Sequence, residues 1–208
     1  MMEYWETSYK EMQTAWGFEP SDSAIFAMNF FLDQKINNIL IPGIGYGRNA
    51  KVFVDNGFNV TGIEISKTAI DLAKNNLDIK IYHGSVINMP YDKYQYDGIF
   101  CYALIQLLNF QERKKFIKNC YNQLKSKGYM VFTVVSKKSI MYGRGKYLSK
   151  DRFEILKGLR VFYYDFESVK KEFAHFGLIE AVEIDEPIKH MKNEPPLKCI
   201  LVKCKKAN

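Results

Sequence analysis

The chain has 208 residues, 47% of them apolar and 25% charged, which is the balance of one folded unit with a sizeable core and excludes general disorder or two comfortable domains. No stretch approaches 18 consecutive apolar residues, and the opening MMEYWETSYKEM places acids where a secretory signal carries a basic head, so the expectation is a cytoplasmic protein with no membrane span. The net charge is +7, but eight cations stand against two acids between Lys137 and Arg160; the excess belongs to one segment and not to a broad nucleic-acid surface.

Cys101, Cys120, Cys199 and Cys204 contain no C-x-x-C spacing, and the three histidines are scattered. Free buried thiols and no metal site are expected. Cys199 and Cys204 stand an odd number of positions apart in one apolar run, which sends them to opposite faces of a strand.

In chain order, residues 1–37 read as an aromatic helical leader in which Trp5, Tyr9, Met12 and Trp16 follow helical spacing. It serves either as a lid, with Tyr9 or Trp16 touching a bound ligand, or as a helix packed on the core. From Asn38 onward, short apolar or β-branched runs (NILIP, FNVTGIEI, IKIYHG, YDGIFCYAL, GYMVFTVVS) alternate with helical segments, the pattern of a parallel sheet with crossover helices. Gly57 ends the first of these helices and Ser66 caps the second. Asn109 with Glu112 forms a capping box for a third, which Gly128 closes, and Asp165 opens a further helix that Gly177 stops. The last two strands are joined by a loop carrying Pro187, Pro195 and Pro196, too short for a crossover helix, so the final strand runs antiparallel. The fold expected is α/β: a Rossmann-like, mostly parallel seven-stranded sheet with helices on both faces and an antiparallel last strand. Residues 1–208 form a single domain, with the basic segment 137–164 inserted after the fifth strand, on the side where ligands bind.

The stretch ILIPGIGYGRNA at residues 39–50 is a strand, a glycine turn and a helix start, the geometry that lets backbone N–H groups approach a phosphate, a dinucleotide or an adenosyl group. A dinucleotide turn needs a small residue five positions after the first glycine. Arg48 stands there, which weighs against NAD, and no Gly-Lys-Ser/Thr follows for a P-loop. Glu64 ends the next strand at the separation from which an acid reaches a ribose diol.

These residues resemble the class I S-adenosylmethionine-dependent methyltransferases: IPGIGYG is similar to that family's first motif, GIEIS to the second, GSVINMP to the third, and YDGIFCYALIQLL to the fourth strand and its loop. The resemblance implies S-adenosyl-L-methionine as cofactor. Gly43, Ile44 and Gly45 would line its methionine part, Glu64 the ribose and Ile65 the adenine face. Ser85 and Val86 would meet the adenine edge, with Cys101 and Tyr102 closing the pocket floor beside the sulfonium. Two positions depart from the family: Ile41 stands where many members carry an acid that supports the turn, and Ser85 where many carry Asp.

The proline before the first glycine and the GRNA after it are similar to the thiopurine, thiol and halide methyltransferases and to the tellurite-resistance methyltransferases, which points to a small, soft acceptor. In the inserted segment, Tyr142, Arg144 and Lys146 are the candidates for a basic aromatic wall facing an anionic substrate; the alternative is a solvated loop. Rival readings are an RNA methyltransferase, against which this chain lacks at Cys101 to Leu104 the Asn/Asp-Pro-Pro-aromatic stretch of amino-methylating nucleic-acid enzymes of the fold, a non-catalytic nucleotide-binding regulator, and an NAD-dependent reductase.

Overall fold

The apolar runs and helical segments assemble as their order dictates. The computed structural model describes residues 2–93, 95–191 and 193–208. The leader gives α1 (Met2–Met12) and α2 (Asp22–Asp33). Then come β1 (Asn38–Pro42), α3 (Ala50–Asp55), β2 (Asn59–Glu64), α4 (Lys67–Lys74), β3 (Lys80–His83), β4 (Tyr96–Tyr102), α5 (Phe110–Gln123) and β5 (Leu124–Val135). The inserted segment contributes β6 (Lys146–Ser149), β7 (Arg152–Leu156) and β8 (Leu159–Phe162), followed by α6 (Phe166–Phe173), β9 (Leu178–Glu186) and β10 (Leu197–Lys205).

The main sheet has seven strands in the order β3-β2-β1-β4-β5-β10-β9. β1 pairs parallel with both β2 and β4, and β10 runs antiparallel to both β5 and β9, which is the single reversed strand expected. Strand alternation assigns each face its core. Ile39, Ile41, Phe100 and Leu201 pack with Phe31 of α2 and Phe53 of α3, whereas Leu40, Cys101 and Val202 pack with Phe116 of α5 and Phe173 of α6. Phe31, Phe53 and Phe100 have 0% exposure, each adding about 1.5–3 kcal/mol through apolar transfer. All four cysteines are free and buried. Among the described residues no helix is long and apolar enough to cross a membrane.

The helix ends follow the local chemistry. Ser66 accepts the Ala69 N–H, and Asn109 with Glu112 and Asp165 with Ser168 both form reciprocal capping boxes. Gly57 and Gly177 both take positive φ just past their helices.

One expectation is corrected, and two segments left open by the sequence are described. Helix α5 ends at Gln123, not at Gly128, because Leu124 is fully buried and pairs with Tyr96, drawing the chain into extended backbone. Gly128 is needed for another reason: a Cβ there would lie 2.9 Å from the Asp97 carbonyl. The second half of the leader is part of the core, since Ala24, Ala27 and Phe31 of α2 are fully buried against the sheet. The inserted segment is not a loop but an antiparallel three-stranded sheet, β6-β7-β8. Its Val161 and Tyr163 pack on Leu107, which follows β4, together with Trp5 of α1.

Candidate active site

In an open α/β sheet, ligands lie beyond the carboxyl ends of the strands where the strand order reverses, and here that point falls between β1 and β4. A cavity of about 240 Å3 opens there. Its floor is the turn after β1, where Gly43, Gly45 and Gly47 have φ of 69°, 58° and 88°, values that suit glycine and strain other residues. The N–H groups of Gly43 and Ile44 donate to the Ile63 carbonyl at 2.8 and 3.1 Å, tying the turn to β2. A Cβ on Gly45 would stand 2.7 Å from the Tyr9 hydroxyl, so glycine is required by both φ and space.

Glu64 is 5% exposed and lines the cavity. Its Oε2 accepts the Gly45 N–H at 2.8 Å, while Oε1 accepts those of Ile65 at 2.8 Å and Ser66 at 3.0 Å. Burial pushes the carboxyl above the usual carboxylate range, and the three N–H donors pull it back. Glu64 thus supplies, from the neighbouring strand, the support for the turn that Ile41 does not. A carboxylate has about four acceptor sites, so after three N–H bonds Oε2 retains one for a ligand hydroxyl.

The walls come from each neighbouring loop. Ile65 follows β2, and Ser85 and Val86 follow β3, with the Ser85 hydroxyl accepting the Ile87 N–H at 3.4 Å. Tyr102 ends β4, with the Arg48 guanidinium carbon 5.6 Å from its ring centroid; burial raises its hydroxyl pKa. Ala103 follows with φ 49°, a strained value for a residue with a Cβ, located at the cavity wall.

The roof is the leader. Trp5, Tyr9 and Trp16 line the cavity, and Trp16 stacks on Tyr46 of the glycine turn at 6.3 Å and 14° between planes. Glu6 fastens α1 to the start of α4: its carboxylate accepts from the Ser66 and Thr68 hydroxyls, each at 2.7 Å. Those two donors hold its pKa down at about 2.

Of the residues expected at the site, Gly43, Ile44, Gly45, Glu64, Ile65, Ser85, Val86, Tyr102, Tyr9 and Trp16 converge on this cavity. Cys101 does not. Strand alternation puts it on the opposite face from Phe100 and Tyr102, fully buried among Ile105 and Leu108, where burial raises its thiol pKa. Tyr142, Arg144 and Lys146 do not line the cavity either: Tyr142 donates to Asp151 at 2.8 Å, and Arg144 and Lys146 are solvent-exposed. Tyr142 and Arg144 lie before β6, where the Tyr142 ring packs on Phe153 and Tyr163, and Lys146 pairs with Glu154 at the start of the hairpin.

Sequence reasoning missed Trp5, Tyr46 and Arg48 as lining residues. Arg48 was visible as the residue that spoils a dinucleotide turn. Its position five residues beyond Gly43 was the available signal.

The sheet order, the glycine turn and the acid at the end of β2 define a class I, Rossmann-like methyltransferase fold. Residues 40–132 match the family described as methyltransferase domain. The chain is 30% identical over 138 residues to an uncharacterized methyltransferase of Alkaliphilus oremlandii, covering 64% of this chain and 63% of that one. It is 26% identical over 116 residues to a ubiquinone biosynthesis O-methyltransferase of Coxiella burnetii, covering 51% of this chain and 49% of the relative. The chain therefore spans about half the length of that curated relative. Among solved structures it is similar to the 1,6-didemethyltoxoflavin-N1-methyltransferase of Burkholderia thailandensis, with TM-score 0.75 and 13% identity over 100% of this chain and 87% of that one. It is also similar to TehB of Haemophilus influenzae, with TM-score 0.65 and 18% identity over 88% of this chain and 61% of that one.

Proposed function

We propose that the protein is an S-adenosylmethionine-dependent methyltransferase acting on a small-molecule acceptor. The observation that carries the reading is the single cavity in which a positive-φ glycine turn, the Glu64 carboxylate and the Ile65, Ser85 and Val86 wall meet under an aromatic roof. These residues fit an adenosyl sulfonium. Glu64 keeps an acceptor site for a ribose hydroxyl, Ile65 and Val86 offer apolar faces to a purine, and the Tyr102 ring suits a cationic centre. When bound, S-adenosylmethionine supplies an electrophilic methyl group on a positively charged sulfur.

The chain's own task is then to align an acceptor opposite that sulfur and exclude water. Trp5, Tyr9 and Trp16 form a cover suited to the second role. The titratable groups lining the cavity are Tyr9, Tyr46, Arg48, Glu64 and Tyr102. Burial pushes all three tyrosines upward, Tyr46 to about 12, and Glu64 is committed to backbone N–H groups. None of these side chains suits a general base near neutral pH. An acceptor that ionises by itself, a thiol-like or metalloid nucleophile or an acidic hydroxyl, therefore suits the site better than a neutral amine or alcohol.

The test is calorimetric titration with S-adenosylmethionine, S-adenosylhomocysteine and NADH side by side. Micromolar binding of the two sulfur compounds without NADH supports the reading, and NADH binding alone overturns it. Formation of S-adenosylhomocysteine with a panel of thiols and phenols separates an enzyme from a regulatory binding module.

A further inference from the structure

A second cavity, of about 360 Å3, opens beside the first, with Trp5 and Leu107 lining both. Its far side is built from the inserted sheet and the start of α5: Arg152 on β7, Arg160 on β8, and the capping pair Asn109 and Glu112. The polar groups here differ in what already holds them. Glu112 accepts the Asn109 N–H at 2.7 Å, and Asn109 accepts the Glu112 N–H at 3.0 Å. Arg160 lies 3.8 Å from the Glu154 carboxylate, and the nearby Arg113 is held by Glu172.

Arg152 is the exception. Its Nε is shut off from solvent and has no hydrogen-bond partner among the described residues. A buried guanidinium N–H without an acceptor is costly, and a planar fork of donors in a cavity is the usual means of holding a carboxylate or phosphate. Burial and the neighbouring Arg113 lower the pKa of Arg152, with Glu112 opposing them, which fits a cation whose neighbours do not neutralise it.

Building on the methyltransferase reading, we propose that this second cavity is the acceptor subsite and that Arg152 binds an oxyanion, a carboxylate or phosphate, carried by the methyl acceptor. The acceptor's apolar body passes between Trp5 and Leu107, which brings its nucleophilic end to the first cavity while its charge stays at Arg152. Arg160, 57% exposed at the rim, adds a steering charge. The basic insertion thus recognises an anion through Arg152, which lines the second cavity, and the solvent-exposed Arg144, which lies before β6, has no part in it.

The experiment uses ligand-observed NMR on the full chain with benzoate, its neutral analogue benzamide, and inorganic phosphate, each with and without S-adenosylhomocysteine. Benzoate or phosphate binding that exceeds benzamide binding at least tenfold, falls at least tenfold in Arg152→Gln and is unchanged in Arg144→Gln is the expected result. Thermal melting and S-adenosylhomocysteine affinity of each variant check that the fold and first cavity are intact. Equal binding of benzoate, phosphate and benzamide, or equal anion affinity in wild type and Arg152→Gln, overturns the subsite. Anion binding lost equally in Arg144→Gln also overturns it, since that marks diffuse charge. Absence of S-adenosylhomocysteine binding in wild type overturns the cofactor reading instead, and the cofactor-free anion titration still decides whether Arg152 binds an oxyanion.

Discussion

Replacing Glu64 by Gln separates two roles that one carboxylate holds. The amide has one oxygen acceptor and one NH2 group. If the oxygen keeps Ile65 and Ser66, now bound at 2.8 and 3.0 Å, the NH2 group faces the Gly45 N–H across 2.8 Å, donor against donor. A buried donor left unpaired costs about 1–3 kcal/mol, and a hydrogen bond to a charged group contributes about 1.5–3 kcal/mol. The variant is therefore expected to lose about 1.5–3 kcal/mol of folding stability, read as a lower urea midpoint at unchanged slope. The same figure applied to the ribose contact predicts roughly 10- to 150-fold weaker S-adenosylhomocysteine binding by calorimetry, in Glu64→Gln and in Glu64→Ala. Lowered stability with affinity kept within twofold would show that Glu64 only braces the turn. Unchanged stability would refute the brace.

Gly45→Ala introduces left-handed strain of about 1–2 kcal/mol and a Cβ 2.7 Å from the Tyr9 hydroxyl; denaturation in a Tyr9→Phe background should recover the contact part and leave the backbone part, and an equal loss in both backgrounds speaks against the geometry. Glu172→Ala should cost about 3–5 kcal/mol in chemical denaturation, because Arg113 is 3% exposed and its Nε and Nη2 donate to that carboxylate; a loss below about 1 kcal/mol would contradict it. Glu6 has a pKa held at about 2 against an ordinary 4.5, so its contribution is full above pH 4.5 and is lost as the pH falls toward 2. The melting-temperature advantage of wild type over Glu6→Gln should shrink across that window, and a constant difference would exclude the hydroxyl clamp on Ser66 and Thr68.

The sheet was legible because its signals are local: short apolar and β-branched runs, Ser66, Asn109 and Asp165 at helix starts, and glycines past helix ends. Glu64 was legible from its distance along the chain to Gly43, since strand length fixes how far two strand ends lie apart. What was not legible depends on register and facing. Cys101 and Tyr102 are neighbours in sequence, yet only Tyr102 reaches the cavity, and choosing between them needs the face of β4 that packs on α2. The eight cations of residues 137–160 look equivalent in sequence. The pairing of Arg152 with Phe162 and of Glu154 with Arg160 across β7 and β8 distinguishes them, and that pairing depends on where the hairpin turns.

The site is held together by acids placed on backbone N–H groups at the starts of helices and turns, where unsatisfied donors gather. Glu186 accepts from Asp22 and Ser23 at the start of α2, Glu64 from the glycine turn and the start of α4, and Glu6 from α4 by way of the leader. Two of these meet at Ser66. Its N–H donates to Glu64 and its hydroxyl donates to Glu6 while accepting the Ala69 N–H. Ser66 thus joins the acid beneath the glycine turn to α1, whose Trp5 and Tyr9 line the cavity. That one serine fixes the position of both the acid on the cavity floor and the helix that carries the cavity's cover.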